Sequence, residues 1–400
     1  MQYDLVFEGG GAKGMVFVGA LQELERRGHT VGRLLGTSAG AISATFLAAG
    51  YTIPEMLDAL REKDTQGVPI FKQFLGRPGP FTREEIETSA TRAALDLIDV
   101  PGVPDRVEAS LDRAIVYLLA RDQFAHVFSF IERGGWFSAD AFLKWAQAKL
   151  DQATPTGKAR GLSRQTFAEF HRSTGRELSL VAADTTDHRM LVLNHRTAPQ
   201  VPVAWGMRMS MSLPLLWQEV IWQPEWGTYL GRPLAGHRIV DGGLLSNFPI
   251  ELFLSTDPHV TALMGHRTSQ GVLGLLIDES LPVGDEADAA EAPPSRMGEL
   301  SALPPAARIM GLVDTATQAH DKMVIEAFEQ FVCRLPAKGY TTTEFDMTDA
   351  RREALIATGQ RAMAGFFDGG ELEGMTGPDV YEMERALRHA DKSAARILQP

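Results

Sequence analysis

The sequence predicts an α/β fold, a three-layer α/β/α sandwich with a mainly parallel central sheet, a helical insertion and a C-terminal helical extension. Three observations lead there. The first fifty residues alternate strand, glycine loop, helix, strand, tight turn and helix, the pattern of parallel strands covered by helices on both faces. Strand-like runs return after residue 170, separated from the first pair by a long helical stretch. The chain has 400 residues, 44% apolar and 22% charged, which is enough for a large core and excludes wholesale disorder.

Tyr3 to Phe7 is a short β-prone run that leads into Gly9, Gly10 and Gly11. Met15 to Arg27 places Val16, Ala20, Leu21 and Leu24 at helical spacing, and Gly28 stops it. Val31 to Leu35 is a second apolar strand, and Ala41 to Ala49 is a helix ended by Gly50. Pro54 to Leu150 reads as mainly helical, with breaks at Gly76 to Pro80 and Pro101 to Pro104. Glu177 to Ala183, Met190 to Asn194, Arg238 to Val240 and Val272 to Ile277 are strands. Pro282 to Pro305, rich in Pro, Ala, Asp and Glu, reads as a mobile loop. Helices are expected at Ile309 to Leu335, Asp349 to Phe367 and Pro378 to Leu398, with a short extended piece at Gly339 to Met347.

Thirty-nine basic against 51 acidic residues give a net charge of −12, which opposes long-range attraction to nucleic acid or anionic membrane. Any such contact needs a local patch or apolar surface, and no nucleic-acid partner is expected. The single cysteine, Cys333, excludes an internal disulfide framework and a multi-thiolate zinc site. Met1 to Glu8 lacks the basic and apolar regions of a signal peptide, and no run is long enough to span a bilayer as a helix. A cytoplasmic protein is expected, with peripheral membrane contact compatible and signal-independent secretion left open. The histidines are scattered, with no H-E-x-x-H, so no metal and no cofactor is expected.

Gly36-Thr37-Ser38-Ala39-Gly40 is G-x-S-x-G between a strand and a helix. Catalysis needs the flanking glycines because the serine sits on a crowded, strained turn. Ser38 would stand at the strand's carboxyl end, and the Ala39 amide, at the helix start, would help hold an oxyanion. A tight structural turn explains the same residues. Gly9-Gly10-Gly11-Ala12-Lys13-Gly14 also joins a strand to a helix, so its amides form an anion-binding nest. It lacks the ending of a Walker loop. It matches G-x-G-x-x-G through Gly9, Gly11 and Gly14, but no acid lies between Arg26 and Pro54 to hold a ribose. An oxyanion loop serving Ser38 accounts for two glycine turns at the ends of adjacent strands.

Together with Asp241-Gly242-Gly243, Ser210-Met211-Ser212-Leu213-Pro214 and Asn247-Phe248-Pro249, these motifs occur in an order that resembles the patatin-like phospholipases over about the first 260 residues. The resemblance implies a serine acyl hydrolase acting through a Ser-Asp dyad. Ser38 would be the nucleophile and Asp241 the base, with the amides of Gly10, Gly11 and Ala39 as oxyanion hole. Gly9, Lys13, Gly14, Gly36, Gly40, Gly242 and Gly243 would support the motifs. An aspartate at its usual pKa of about 3.9 is a poor base for a hydroxyl, so desolvation and a short hydrogen bond must assist. The competing base is a histidine downstream of Asp241: His259, His266 or His320. Asp184 reads as a turn cap.

The implied substrate is a phospholipid or lysophospholipid ester. The alternatives are a ligand- or partner-activated lipase effector in signalling or defence, and a dinucleotide-binding oxidoreductase. Residues 1–265 would be the catalytic domain, with 54–150 as its insertion. Residues 266–400 would add a strand and helices to the same body. The residues from Trp205 to Trp226 concentrate Met and Trp, read first as core and second as lining of an acyl channel.

Overall fold

In the computed structural model, residues 1–95, 105–121, 124–284, 328–369 and 380–398 are described. An eight-stranded sheet forms the centre. Its parallel part runs in the order Val332–Pro336, Gly271–Asp278, β1 (Gln2–Phe7), β2 (Thr30–Thr37) and Leu178–Asp184. Arg189–Leu193 and Arg238–Asp241 both join Leu178–Asp184 in antiparallel fashion, and Val220–Ile221 pairs with Arg238–Asp241.

Side chains alternate across a strand, and here the alternation separates two cores. Leu5 and Phe7 of β1, Leu34 of β2, and Leu273 and Leu275 share one cluster with helix α1 (Val16–Arg26), helix α2 (Ala39–Ala48), and Leu355 and Met363 of the helix Asp349–Asp368. Val6, Leu35, Val181, Val272 and Leu276 point to the other face. They pack with Phe253, Val260, Ala390 and Ala394 from the helices Glu251–Leu254, Pro258–Met264 and Val380–Ile397. Two buried faces under helices are the three-layer arrangement that the sequence predicts.

The C-terminal extension is bound closely to the start of the chain. A Cβ on Gly19 of α1 would strike the Ile356 carbonyl, and one on Gly359 would strike the Val16 carbonyl, so these helices touch backbone to backbone. The stretch expected as helix up to Leu335 is corrected: Val332–Pro336 is a strand parallel to Gly271–Asp278. Val332 faces one core while Cys333 and Leu335 face the other, so tertiary burial on both sides overrides local helix preference. Gly339 to Met347 forms successive turns rather than an extended piece. Residues 285–305 of the expected loop and 309–327 of the expected helix lie outside the described residues.

The insertion is mainly helical, through Ile53–Arg61, Arg83–Glu87, Ala90–Leu95, Asp105–Leu119, Ala125–Arg133 and Asp140–Asp151. It also supplies a short strand, Gly135–Phe137, parallel to Leu215–Trp217. Among the described residues, no helix is long and apolar enough to cross a membrane.

Candidate active site

β2 ends at Thr37 and α2 begins at Ala39, leaving Ser38 alone on the turn with φ 51° and ψ −120°. A non-glycine residue at positive φ costs energy and persists only where its neighbours fix it. The flanking glycines are needed for contact. A Cβ on Gly36 would collide with the Gly40 carbonyl, and one on Gly40 with the carbonyls of Phe7 and Glu8. The Ser38 amide donates to Ser210 Oγ at 3.0 Å, a second clamp on the strained residue. The side chain stands at the positive end of α2, where a developing negative charge is favoured.

Strand register brings Asp241 to this turn. Arg189–Leu193 occupies one edge of Leu178–Asp184, so β2 and Arg238–Asp241 share the other edge, end to end. Thr37 pairs with Val181 while Asp241 pairs with the next residue, Ala182. Two strands running toward each other along one edge thus meet tip to tip, separated by 203 residues of sequence (241 − 38). The Asp241 amide donates to the Ser212 carbonyl at 2.9 Å. Its Oδ1 accepts the Gly243 amide at 2.8 Å, while buried Oδ2 has no partner of normal hydrogen-bond geometry. Burial pushes this carboxyl up to about 7, against the opposing pull of the Gly243 amide and the Ser38 hydroxyl.

The glycine loop follows β1, the parallel neighbour of β2, so both glycine turns lie side by side at the carboxyl ends of adjacent strands. Asn247 holds Gly9 from both sides: its carbonyl accepts the Gly9 amide at 3.1 Å and its Nδ2 donates to the Gly9 carbonyl at 2.8 Å. Gly14 packs so closely on Ala39 that a Cβ there would lie 2.5 Å from the alanine methyl. Among the described residues, the amides of Gly10, Gly11 and Ala39 donate to no carbonyl of another segment. Gly242 and Gly243 are likewise crowded, by Val181 and by Asn247 Oδ1.

The sequence pattern described as patatin-like phospholipase matches residues 5–254, a span that contains all of these motifs. The chain belongs to the patatin-like phospholipase family. It is 27% identical over 370 residues to the uncharacterized protein YqhO of Bacillus subtilis, covering 90% of this chain and 96% of that one. It is 20% identical over 250 residues, 62% of each chain, to the probable lipid hydrolase 463L of Invertebrate iridescent virus 6. Among solved structures, VipD of Legionella pneumophila aligns with 99% of this chain and 74% of its own, at 18% identity and a TM-score of 0.48.

In this patatin-like chain, a cavity opens beside Ser38. Ala39, Ile42, Leu60, Phe71, Phe74 and Phe142 are among the residues that line it, with Met211, Leu213, Trp217 and Phe345. The Met and Trp concentration therefore divides: Met207, Met209 and Trp222 are buried core, while Met211 and Trp217 face the cavity. No histidine lines it among the described residues. His259 Nε2 lies 3.4 Å from the Leu398 carbonyl, His266 follows Gly265 beside Arg33, and His320 lies outside the described residues. Lys13 forms an ion pair with Glu279. Asp184 caps its turn, accepting the Thr186 amide at 3.0 Å, and also contacts His237 at 2.8 Å.

Among the described residues, two groups of side chains have metal-ligand character, His171 with Glu177 and His195, and Asp184 with Asp187 and His237. Neither borders the cavity, and Arg196 grips Glu177 with two hydrogen bonds, at 2.6 and 2.8 Å. Sequence reasoning quoted the segments holding Ser210, Ser212 and Asn247 without giving them roles. It missed Thr342, whose carbonyl accepts the Ala12 amide, and Phe345, which lines the cavity, because contacts across such distances in sequence leave no local signal.

Proposed function

We propose that this patatin-like protein hydrolyses the carboxylic ester of a phospholipid or lysophospholipid through a Ser38–Asp241 dyad and an acyl-enzyme. The observation that carries the reading is a buried carboxylate oxygen, Asp241 Oδ2, left without a normal partner beside a serine on a strained strand-to-helix turn. Ser38 Oγ attacks the ester carbonyl as Asp241 takes its proton. The amides of Gly10, Gly11 and Ala39 hold the oxyanion, and the proton passes to the leaving alcohol as the tetrahedral intermediate collapses. Water, deprotonated by Asp241, then attacks the acyl-enzyme, and the proton passes from Asp241 to Ser38 Oγ as the bond to the serine breaks and the acid leaves. A carboxyl raised to about 7 is a far better match to this task than one at its usual value. The apolar cavity suits an acyl chain. Residues 1–265 supply the dyad and oxyanion hole, and the described residues after 265 pack on the same body.

A fluorophosphonate probe should label Ser38 alone, located by mass spectrometry of the digested protein. Ser38→Ala should abolish both labelling and hydrolysis of a phospholipid. Hydrolysis that survives in Ser38→Ala would refute the dyad.

A further inference from the structure

We infer that residues 337–348, which lie beyond the span matched by the family, form a wall of the cavity, and that Phe345 sets its width beside the reacting ester. The inference rests on the lipid-hydrolase reading for its substrate and deepens it. The segment reaches the oxyanion loop directly: the Thr342 carbonyl accepts the Ala12 amide at 2.9 Å. It also fills the space that a side chain on Gly11, at φ 53°, would need. Three residues on, Phe345 lines the cavity and packs edge-on against Trp217, with ring centroids 5.5 Å apart. Trp217 is fixed in turn, its Nε1 donating to the Phe74 carbonyl at 2.8 Å. The two rings therefore form one fixed part of the lining of the cavity that also holds Gly11, Ser38 and Ala39.

The wall is held rigidly. Glu344 and Arg351, each about 95% buried, are joined by Nε to Oε1 at 2.7 Å and by a second bond at 3.1 Å. Arg351 also donates to the Gly339 carbonyl at 2.7 Å, lies over the Tyr340 ring at 4.0 Å, and receives the Tyr340 hydroxyl on its own carbonyl at 3.0 Å. A buried ion pair whose hydrogen bonds are this fully used fixes one geometry of the loop. A fixed aromatic pair near the ester rejects bulk on the acyl chain's first carbons and accepts a linear chain.

The test compares a linear with an α-branched acyl ester in wild type and Phe345→Ala. Wild type should favour the linear ester, and the variant should reduce that ratio of kcat/KM about tenfold or more, the scale of a methyl group in an apolar pocket. Phe345→Leu should fall between them and guards against a folding defect in the alanine variant. Binding of the matching linear and branched fatty acids to Ser38→Ala protein, by calorimetry, reads the wall without turnover. Adding Phe345→Ala there should shift the ratio of dissociation constants in the same direction. An unchanged ratio in both measurements overturns the inference. A shifted binding ratio with no hydrolysis by wild type overturns the proposed activity and leaves the wall standing.

Discussion

The buried state of Asp241 predicts how activity and stability depend on pH. In the proposed dyad Asp241 must be ionised to accept the Ser38 proton, and burial lifts this carboxyl to about 7. kcat/KM should rise to a plateau above neutrality, fall about tenfold for each pH unit below 7, and stand near a hundredth of its plateau at pH 5. Stability should move the opposite way. Between the ordinary aspartate pKa and about 7 the unfolded chain has released this proton while the folded chain retains it, so rising pH favours unfolding. A rise from 3.8 to about 7 corresponds to roughly 4 kcal/mol of stability lost by pH 8. Asp241→Asn removes the ionisation, so it should lose turnover by orders of magnitude yet melt several degrees above wild type at pH 8, with the gap closing toward pH 4. The assays are mass-spectrometric product formation across pH 5 to 9 and thermal melts of both proteins. A flat rate profile, or an asparagine variant that is less stable at pH 8, would refute the assignment of a raised, buried base.

Gly10→Ala should fold, because its methyl meets only the movable end of Ile277, while turnover falls by about a hundredfold as the neighbouring amide is turned from the oxyanion. Gly11→Ala is a poorer probe, since Thr342 backbone and a positive φ oppose it, and circular dichroism should reveal structural damage there. Ser210→Ala removes the acceptor of the Ser38 amide; it should cost about 1 kcal/mol in chemical denaturation and lower kcat more than it raises KM. His259→Ala and His266→Ala should each keep most hydrolytic activity in the same product assay, and loss comparable to Ser38→Ala in either would restore a triad.

The alternation of apolar runs and glycine turns in the first fifty residues determines β1, α1, β2 and α2 and their parallel pairing, because those signals are local in sequence. Gly36 and Gly40 are legible for the same reason: the strand-to-helix turn at Ser38 leaves no room for their side chains. Asp241 was visible as an Asp-Gly-Gly corner, but its place opposite Ser38 follows from two strands sharing one edge of Leu178–Asp184, a register that no local pattern states. Its raised pKa is likewise a property of the assembled core. Val332–Pro336 reads as the end of a helix until the sheet buries it on both faces. Ser210 at the Ser38 amide, Thr342 at the glycine loop and Phe345 in the cavity lining are contacts between segments far apart in the chain. Local sequence fixes backbone turns, whereas the partners that clamp and wall those turns are chosen only when the layers close and desolvate them.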